Sequence, residues 1–587
     1  MHCNPLSKFR CLRFIYCVML CLTGCIEERE ASSNPAGPVN ASVEPRPLVR
    51  NGGSALRFSE CAEDLGVIHS YRNDAEQGFF TILESLGGGI GLLDIDSDGR
   101  QDLFAPGGGR FNSCKQPSGR ASVLFRQHPA GAGKRSFVDV SDAANVSESP
   151  HFSHGGIVSD YNNDGFDDIL LTGYGGLQLF LNLGDGVFEP LSSEAGLTDD
   201  RWSSSAAWAD FNGDGANDIY VVHYVDWSPA HDPQCFLGDN VTREVCPPRS
   251  FSGLPDSLYL SDGSGGFVDA SSWLSEVPAS KGLGVAAADI DLDGDTDVYV
   301  TNDTKMNFLL INEARQGFTE SGVVSSTGYG DTGSEDGSMG VDIGDYNGDG
   351  LPDIWVTNYE NETFALYRSI DGSVFQHVSR STGISAIAGL SVGWGTMFGD
   401  LDLDGDEDIF VANGHVIRHP TNSPLNQRPL LLLNEDQKRF RDVAADAGPY
   451  LDSEHMSRGV AMGDFDDDGD QDFFVSNVNQ PLAILRNESA RLGSWIELEL
   501  IGVQSPRWSE GAWVEFVMDD GRKILRLRKG GTSYASTSDR RIHAGLGQCD
   551  RIAKIIIHWP SGVVQTLEHV ATNQRLQVVE ATERTTP

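Results

Sequence analysis

Residues 94–102 read DIDSDGRQD, and the same nine-residue grammar, D-x-[DN]-x-D-G-x-x-D, returns six more times. The further copies are DYNNDGFDD (160–168), DFNGDGAND (210–218), DIDLDGDTD (289–297), DYNGDGLPD (345–353), DLDLDGDED (400–408) and DFDDDGDQD (464–472). Carboxylates held this close repel unless a cation stands among them. A Ca²⁺ ion takes roughly six to eight oxygen ligands in a flexible cage, a geometry less strict than that of Mg²⁺. All-oxygen ligation excludes typical zinc and copper sites. In each loop, positions 1, 3, 5 and 9 supply side-chain oxygens. These are Asp94, Asp96, Asp98 and Asp102; Asp160, Asn162, Asp164 and Asp168; Asp210, Asn212, Asp214 and Asp218; and Asp289, Asp291, Asp293 and Asp297. They continue with Asp345, Asn347, Asp349 and Asp353; Asp400, Asp402, Asp404 and Asp408; and Asp464, Asp466, Asp468 and Asp472. Position 7 varies freely (Arg100, Phe166, Ala216, Asp295, Leu351, Asp406, Asp470), as a backbone-carbonyl ligand allows. Position 6 is always Gly, which a sharp turn with positive φ requires. Up to seven Ca²⁺ ions are expected, bound more weakly where Asn stands at position 3.

An EF-hand would carry Glu at position 12 and helical flanks. Position 12 here is Ala105, Leu171, Val221, Val300, Val356, Val411 or Val475. The flanks (DIYVV, DVYVT, DIWVT, DIFVA) are β-branched and aromatic, hence strands. Loop starts are closest from Asp160 to Asp210 and farthest from Asp210 to Asp289, a period of propeller blades. Each repeat runs through a small-residue strand, the acidic loop, an apolar strand, a third strand such as LFLN, and an aromatic-led last strand such as FVDVS. The wide interval holds an insertion, roughly 223–256. A supernumerary last-strand segment, FSECAEDLG from Phe58, precedes the first loop, and none follows the seventh. It is expected to complete the seventh blade and close the ring. The fold class is therefore all-β: a seven-bladed β-propeller over residues 56–490, then a small β-rich domain over 491–587.

The formal net charge of −42 over 587 residues argues against nucleic acid, whose binders carry basic patches. Twenty-five of the 85 acidic residues are loop ligands, and seven Ca²⁺ would offset about +14. Residues 1–24 have a secretory signal's basic start and short apolar core, followed by Leu22-Thr23-Gly24-Cys25. That run resembles a bacterial lipobox, so lipidation at Cys25 is expected, with 25–55 a Pro-rich tether. Membrane contact would be by lipid anchor only. Cys235 and Cys246 bracket the insertion and are expected to bond. Cys61 with Cys114 is a second candidate pair, leaving Cys549.

The loops resemble FG-GAP/VCBS repeats of integrin α-type propellers. GAWVEF (511–516), GGTSYASTSD (530–539), HAGLG (543–547) and HWPSGVVQTL (558–567) resemble the ASPIC/UnbV domain. Together they resemble the cartilage acidic protein family and its bacterial relatives, with Ala535 and Ala544 where that family carries Leu and Phe. The resemblance implies calcium binding and an extracellular place. The expected function is adhesion or recognition of an extracellular protein or polysaccharide. A carbohydrate-active enzyme, or an accessory factor for exported enzymes, is the alternative. No catalytic constellation is recognised. Residues 389–393 spell GxSxG, but they lead into an acidic loop, which places Ser391 on a blade strand rather than a nucleophile elbow. His543 and His558 are read as packing or surface residues, and Trp559 as core packing ahead of a ligand role.

Overall fold

The computed structural model describes residues 56–131, 134–191, 194–313 and 315–582. The expected signal segment, Cys25 and the tether lie outside the described residues. Seven four-stranded antiparallel sheets follow one another along the chain. Their first strands are Gly91–Leu93, Phe152–Ser159, Ser203–Ala209, Gly282–Ala288, Val341–Gly344, Gly393–Gly399 and Ser457–Gly463, here blades 1 to 7. Successive first strands pack against one another, and that of blade 7 packs back on blade 1, so the sheets form a closed ring. The second strands, such as Asp218–His223 and Asp297–Asn302, are buried throughout. Burial on both sheet faces accounts for their unbroken apolar runs.

The last strand of blade 7 comes from the other end of the chain. Phe58–Glu60 pairs antiparallel with Ala483–Asn487, with Phe58 opposite Asn487. The pairing removes an open edge, as the surplus N-terminal segment implied.

Close packing of the inner strands rests on a residue the loop motif does not include. Five positions before each leading Asp stand Gly89, Gly155, Ser205, Gly284, Gly340, Gly395 and Gly459. A Cβ on Gly340 would lie 1.9 Å from the Trp394 carbonyl oxygen of the next blade, and one on Gly284 would lie 2.3 Å from that of Met339. A side chain at Gly284 or Gly340 forces the blades apart, whereas blade 3 accommodates Ser205 at the same place.

Blades are also stapled at their rims. On the third strand, Asn182, Asn312, Asn434 and Asn487 each donate through Nδ2 to the position-2 carbonyl of the preceding blade's loop, at 2.8–3.0 Å. Gln127 does the same to Phe465 across the closing seam at 2.9 Å. Blades 3 and 5 carry Ser261 and Ser369 at this place and lack the contact through it.

The C-terminal domain consists of a four-stranded and a three-stranded sheet. The three-stranded sheet contains a parallel pair, Ser494–Ile501 with Gln574–Val579. The two sheets enclose a separate core that includes Leu498, Phe516, Ile555 and Trp559. Trp559 is 2 % exposed and heads the tight turn closed by Gly562, while His558 stacks on Trp513 with ring centroids 3.4 Å apart.

The Cys235–Cys246 disulfide forms within the insertion. The expected Cys61–Cys114 pair does not. Cys61 is buried in the seam between blades 7 and 1, its thiol donating to the Ile484 carbonyl, while Cys114 is exposed. Ser391 is likewise corrected: it lies in a turn before the strand Gly393–Gly399, and no helix follows it. A nucleophile elbow runs from strand to turn to helix, and this segment runs the other way.

Candidate metal centres and the face they occupy

All seven acidic loops adopt one conformation. Position-6 glycines have φ between 80° and 107°. Six leading carboxylates, those of Asp94, Asp160, Asp210, Asp345, Asp400 and Asp464, accept hydrogen bonds from the backbone N–H groups of positions 5 and 6. Asp289 accepts from Gly294 N–H at 3.0 Å and from the Trp513 indole. Each position-9 carboxylate accepts from the position-2 N–H on one oxygen and from a third-strand N–H on the other, as Asp168 does from Tyr161 and Asn182. Position 9 therefore fixes the loop to two strands besides turning its charge inward.

In four loops three carboxylates converge, with ligand atoms within 4.8 Å of one another. The groups are Asp94, Asp96 and Asp102; Asp289, Asp291 and Asp297; Asp400, Asp402 and Asp404; and Asp464, Asp466 and Asp472. These are the four loops with Asp at position 3. In the other three, Asn162, Asn212 and Asn347 donate through Nδ2 to the position-5 carboxylates Asp164, Asp214 and Asp349. A cation there requires the amide oxygen to turn inward.

The donor set fits a hard divalent cation. Asp96 Oδ1 and Asp289 Oδ1 are buried and accept no hydrogen bond. Burial pushes the carboxyl of Asp94 up to about 6, those of Asp160, Asp289, Asp345 and Asp404 to about 7, and those of Asp102 and Asp218 to about 8. Burial drives Asp168, Asp297, Asp353, Asp400, Asp408, Asp464 and Asp472 well above the carboxylate range. Ionising such groups is costly unless a positive charge enters.

The protein supplies some of that charge itself, which the motif did not reveal. In the first loop Arg126 pairs with Asp96 and Arg100 with Asp98. In the fourth, Arg315 Nε meets Asp295 at 2.6 Å, and in the seventh Arg491 meets Asp470 at 2.8 Å. The C-terminal domain covers this face and adds more. Arg540 reaches Asp167 at 2.8 Å and Asp94 at 3.8 Å, and Lys529 reaches Asp342 at 2.5 Å. Trp513 Nε1 donates to Asp289 Oδ2 at 3.2 Å, and the His543 ring nitrogen lies 3.0 Å from the Gly469 carbonyl.

From the same domain, residues 530–539 enter the centre of the ring. This segment bonds to the first strand of every blade: to Ile90 and Leu92, Val158, Trp208, Ala287, Val341, Thr396 and Met462. Tyr534 is fully buried, its ring 4.7 Å from that of Trp394, and its hydroxyl accepts from Gly87 N–H at 3.0 Å. A Cβ on Gly89 would fall 1.7 Å from the Ala535 carbonyl oxygen, and one on Gly155 2.8 Å from Ala535 Cβ. Ala535 itself is fully buried among these strands, with φ 51°.

Sequence comparison places this architecture among known ones. Residues 160–221, 289–356 and 345–411 match the FG-GAP-like repeat, and residues 502–585 match the ASPIC and UnbV family. The chain is a protein of FG-GAP-like repeats with an ASPIC and UnbV domain at its C-terminal end. Its relatives include cartilage acidic protein 1 of Xenopus tropicalis, 23 % identical over 487 residues, covering 72 % of each chain. The Homo sapiens protein of that name is 24 % identical over 494 residues, covering 74 % of this chain and 72 % of its own. Among solved structures, an Agrocybe aegerita lectin recognising non-reducing terminal N-acetylglucosamine aligns at TM-score 0.39 and 15 % identity, covering 63 % of this chain and 89 % of its own. A Trypanosoma rangeli sialidase aligns at TM-score 0.31 and 11 % identity, covering 71 % of this chain and 55 % of its own.

Proposed function

We propose that the protein is a calcium-stiffened recognition module, exported, held to the cell envelope by lipid on Cys25, and presenting its propeller to an extracellular protein or polysaccharide. The observation that carries the calcium part is the convergence of three carboxylates in each of four loops, with buried oxygens of Asp96 and Asp289 that accept no hydrogen bond among the described residues. Calcium would be held by positions 1, 3, 5 and 9 and by the carbonyl of position 7. It would supply positive charge and no reaction chemistry. Its binding energy would add to that of folding, because the cage exists only when the strands are paired. The plugged centre of the ring supports a role for the rigid outer surfaces rather than for passage through the channel. Among the described residues no helix is long and apolar enough to cross a membrane, which is compatible with a lipid tether.

The test is a calcium titration of the full chain after exhaustive chelation, followed by native mass spectrometry. Saturation with at least four ions supports the reading. A chain that takes up none, and melts at one temperature with or without EDTA, overturns it. Envelope extracts passed over the calcium-loaded protein, with and without EDTA, then test whether partner capture needs the metal.

A further inference from the structure

Opposite the acidic loops, where first strands begin and second strands end, the channel mouth opens into a cavity of about 320 Å³. Leu86, Leu283, Met339 and Val416 form apolar walls, and the insertion contributes Val245 and the disulfide-bonded Cys246. Tyr224 and Tyr359 also face it, as does Trp394, whose ring already carries the buried Arg458 guanidinium 4.2 Å from its centroid. Two carboxylates break this lining, Asp303 and Glu362. They flank Gly337: a Cβ there would stand 3.4 Å from Asp303 Oδ1 and 3.5 Å from Glu362 Oε2. The bare glycine keeps open the space between them.

Each carboxylate is anchored through one oxygen. Asp303 Oδ2 accepts from the Tyr224 hydroxyl at 2.5 Å. Glu362 Oε2 accepts from Gly337 N–H at 2.8 Å and Tyr359 N–H at 3.2 Å. No ion pair within 4 Å reaches either group among the described residues. The Lys281 ammonium, whose field acts on Asp303, donates to the Pro248 carbonyl at 2.9 Å, and the Arg249 side chain, which also lines the cavity, is exposed. Lys305 is turned to Glu335 at 3.5 Å. Farther acids, Glu360 and Glu244, add negative field at Tyr359. Burial raises Asp303 to about 6 and Glu362 to about 7, so a cation between them would relieve a cost the site now bears.

We propose that this cavity binds an organic ammonium group on an apolar stem, the charge between Asp303 and Glu362 and the stem against Met339, Leu283 and the aromatic rings. Pockets of this size with an apolar lining and few convergent polar groups are the usual form of small-ligand sites. The Tyr224 and Tyr359 rings add cation–π attraction where the charge is desolvated. The site does not depend on the acidic loops, which lie on the other face.

The probe is phenethylammonium, titrated calorimetrically into the calcium-loaded full chain beside its neutral isostere phenethyl alcohol and beside further CaCl₂. Saturable binding of the ammonium, at least about tenfold tighter than the alcohol, is expected. The pair D303N with E362Q keeps the hydrogen-bond acceptors but removes the charge. It should lose binding by about tenfold or more while the protein without probe melts within a few degrees of the original. G337A, which fills the space, should do the same. A Gly-Gly-Lys-Gly-Gly peptide separates the sources. If it binds like the amine, the cavity takes a partner's lysine; if only the free amine binds, it takes a small metabolite-like amine. Equal binding of the alcohol, undiminished binding by the folded double variant, or competition by calcium would overturn the proposal.

Discussion

The two faces of the ring use buried carboxylates in opposite ways. On the loop face, acids come three and four to a cluster, repeat with each blade, and meet arginines from the blades and from the C-terminal domain. On the far face Asp303 and Glu362 stand together in a largely apolar mouth formed partly by an insertion that occurs once. The first arrangement suits a structural ion, because the ligands are also the residues that fix strand to strand. The second suits a ligand that comes and goes, because its partly buried carboxylates line a cavity and meet no arginine or lysine within ion-pair distance among the described residues. Repetition thus marks what holds the molecule together, and departure from repetition marks where it is specialised.

Removing metal should give the largest effect and fall on the loop face alone. Chelation is expected to lower the melting midpoint by about 10 °C or more, given what several lost ions are worth in folding energy. A chelated protein that keeps its midpoint would erase the distinction between the faces. Next comes the plug. Tyr534→Ala removes a fully buried ring at the centre of the molecule and should cost about 3–5 kcal/mol in denaturant unfolding. If the cost is small, residues 530–539 rest on the propeller rather than hold it.

A smaller effect separates the faces by pH. A carboxyl whose folded pKa is raised contributes stability while protonated. That contribution is whole below the unfolded value near 3.8 and is lost as pH rises through the folded values of about 7 and 8. Buried histidines such as His154, whose pKa burial lowers, are neutral in the fold and lose their last protons in the unfolded chain between about pH 6.5 and 7.5, a rise in stability that opposes this fall equally with and without calcium. Metal-free protein should therefore lose several degrees of melting midpoint between about pH 6.5 and 8.5, whereas calcium-loaded protein should stay level. Parallel curves in the two states would show that the loop acids do not respond to the ion. The smallest effect concerns the rim staples. Asn434→Ala should cost about 1–2 kcal/mol by leaving the Tyr346 carbonyl buried without its donor, and Ser369→Ala, at the equivalent place, less. Equal costs would mean the amide adds nothing between blades.

Most of the architecture was legible because it rests on local, repeated rules. The Asp-Gly loops, the strand periodicity and the unmatched segment at Phe58 each imply their structure without knowledge of distant contacts. The Cys235–Cys246 bond was legible for the same reason, since eleven residues separate the two. What escaped depends on contacts between remote parts of the chain. The segment 530–539 was legible only as a stretch resembling the ASPIC/UnbV domain, with nothing in its residues to place it in the ring's centre. Arg126 stands well outside the loop whose Asp96 it neutralises. Cys61 and Cys114 failed as a pair because parity of cysteines says nothing of place: one is sealed in the closing seam and the other is exposed.

That seam has a consequence for how the chain reaches its final form. Ser59 Oγ donates to Glu488 Oε1 across 429 residues, so the opening strand waits for nearly the whole polypeptide before it finds its partner. A chain synthesised or threaded through a membrane from its N-terminus must keep Phe58–Glu60 unpaired until residue 487 emerges. Contacts so distant along the sequence form late and slowly. The annulus therefore latches only on a finished molecule, and a chain cut short anywhere before Ala483 remains an open horseshoe with raw β-edges, ready for a protease.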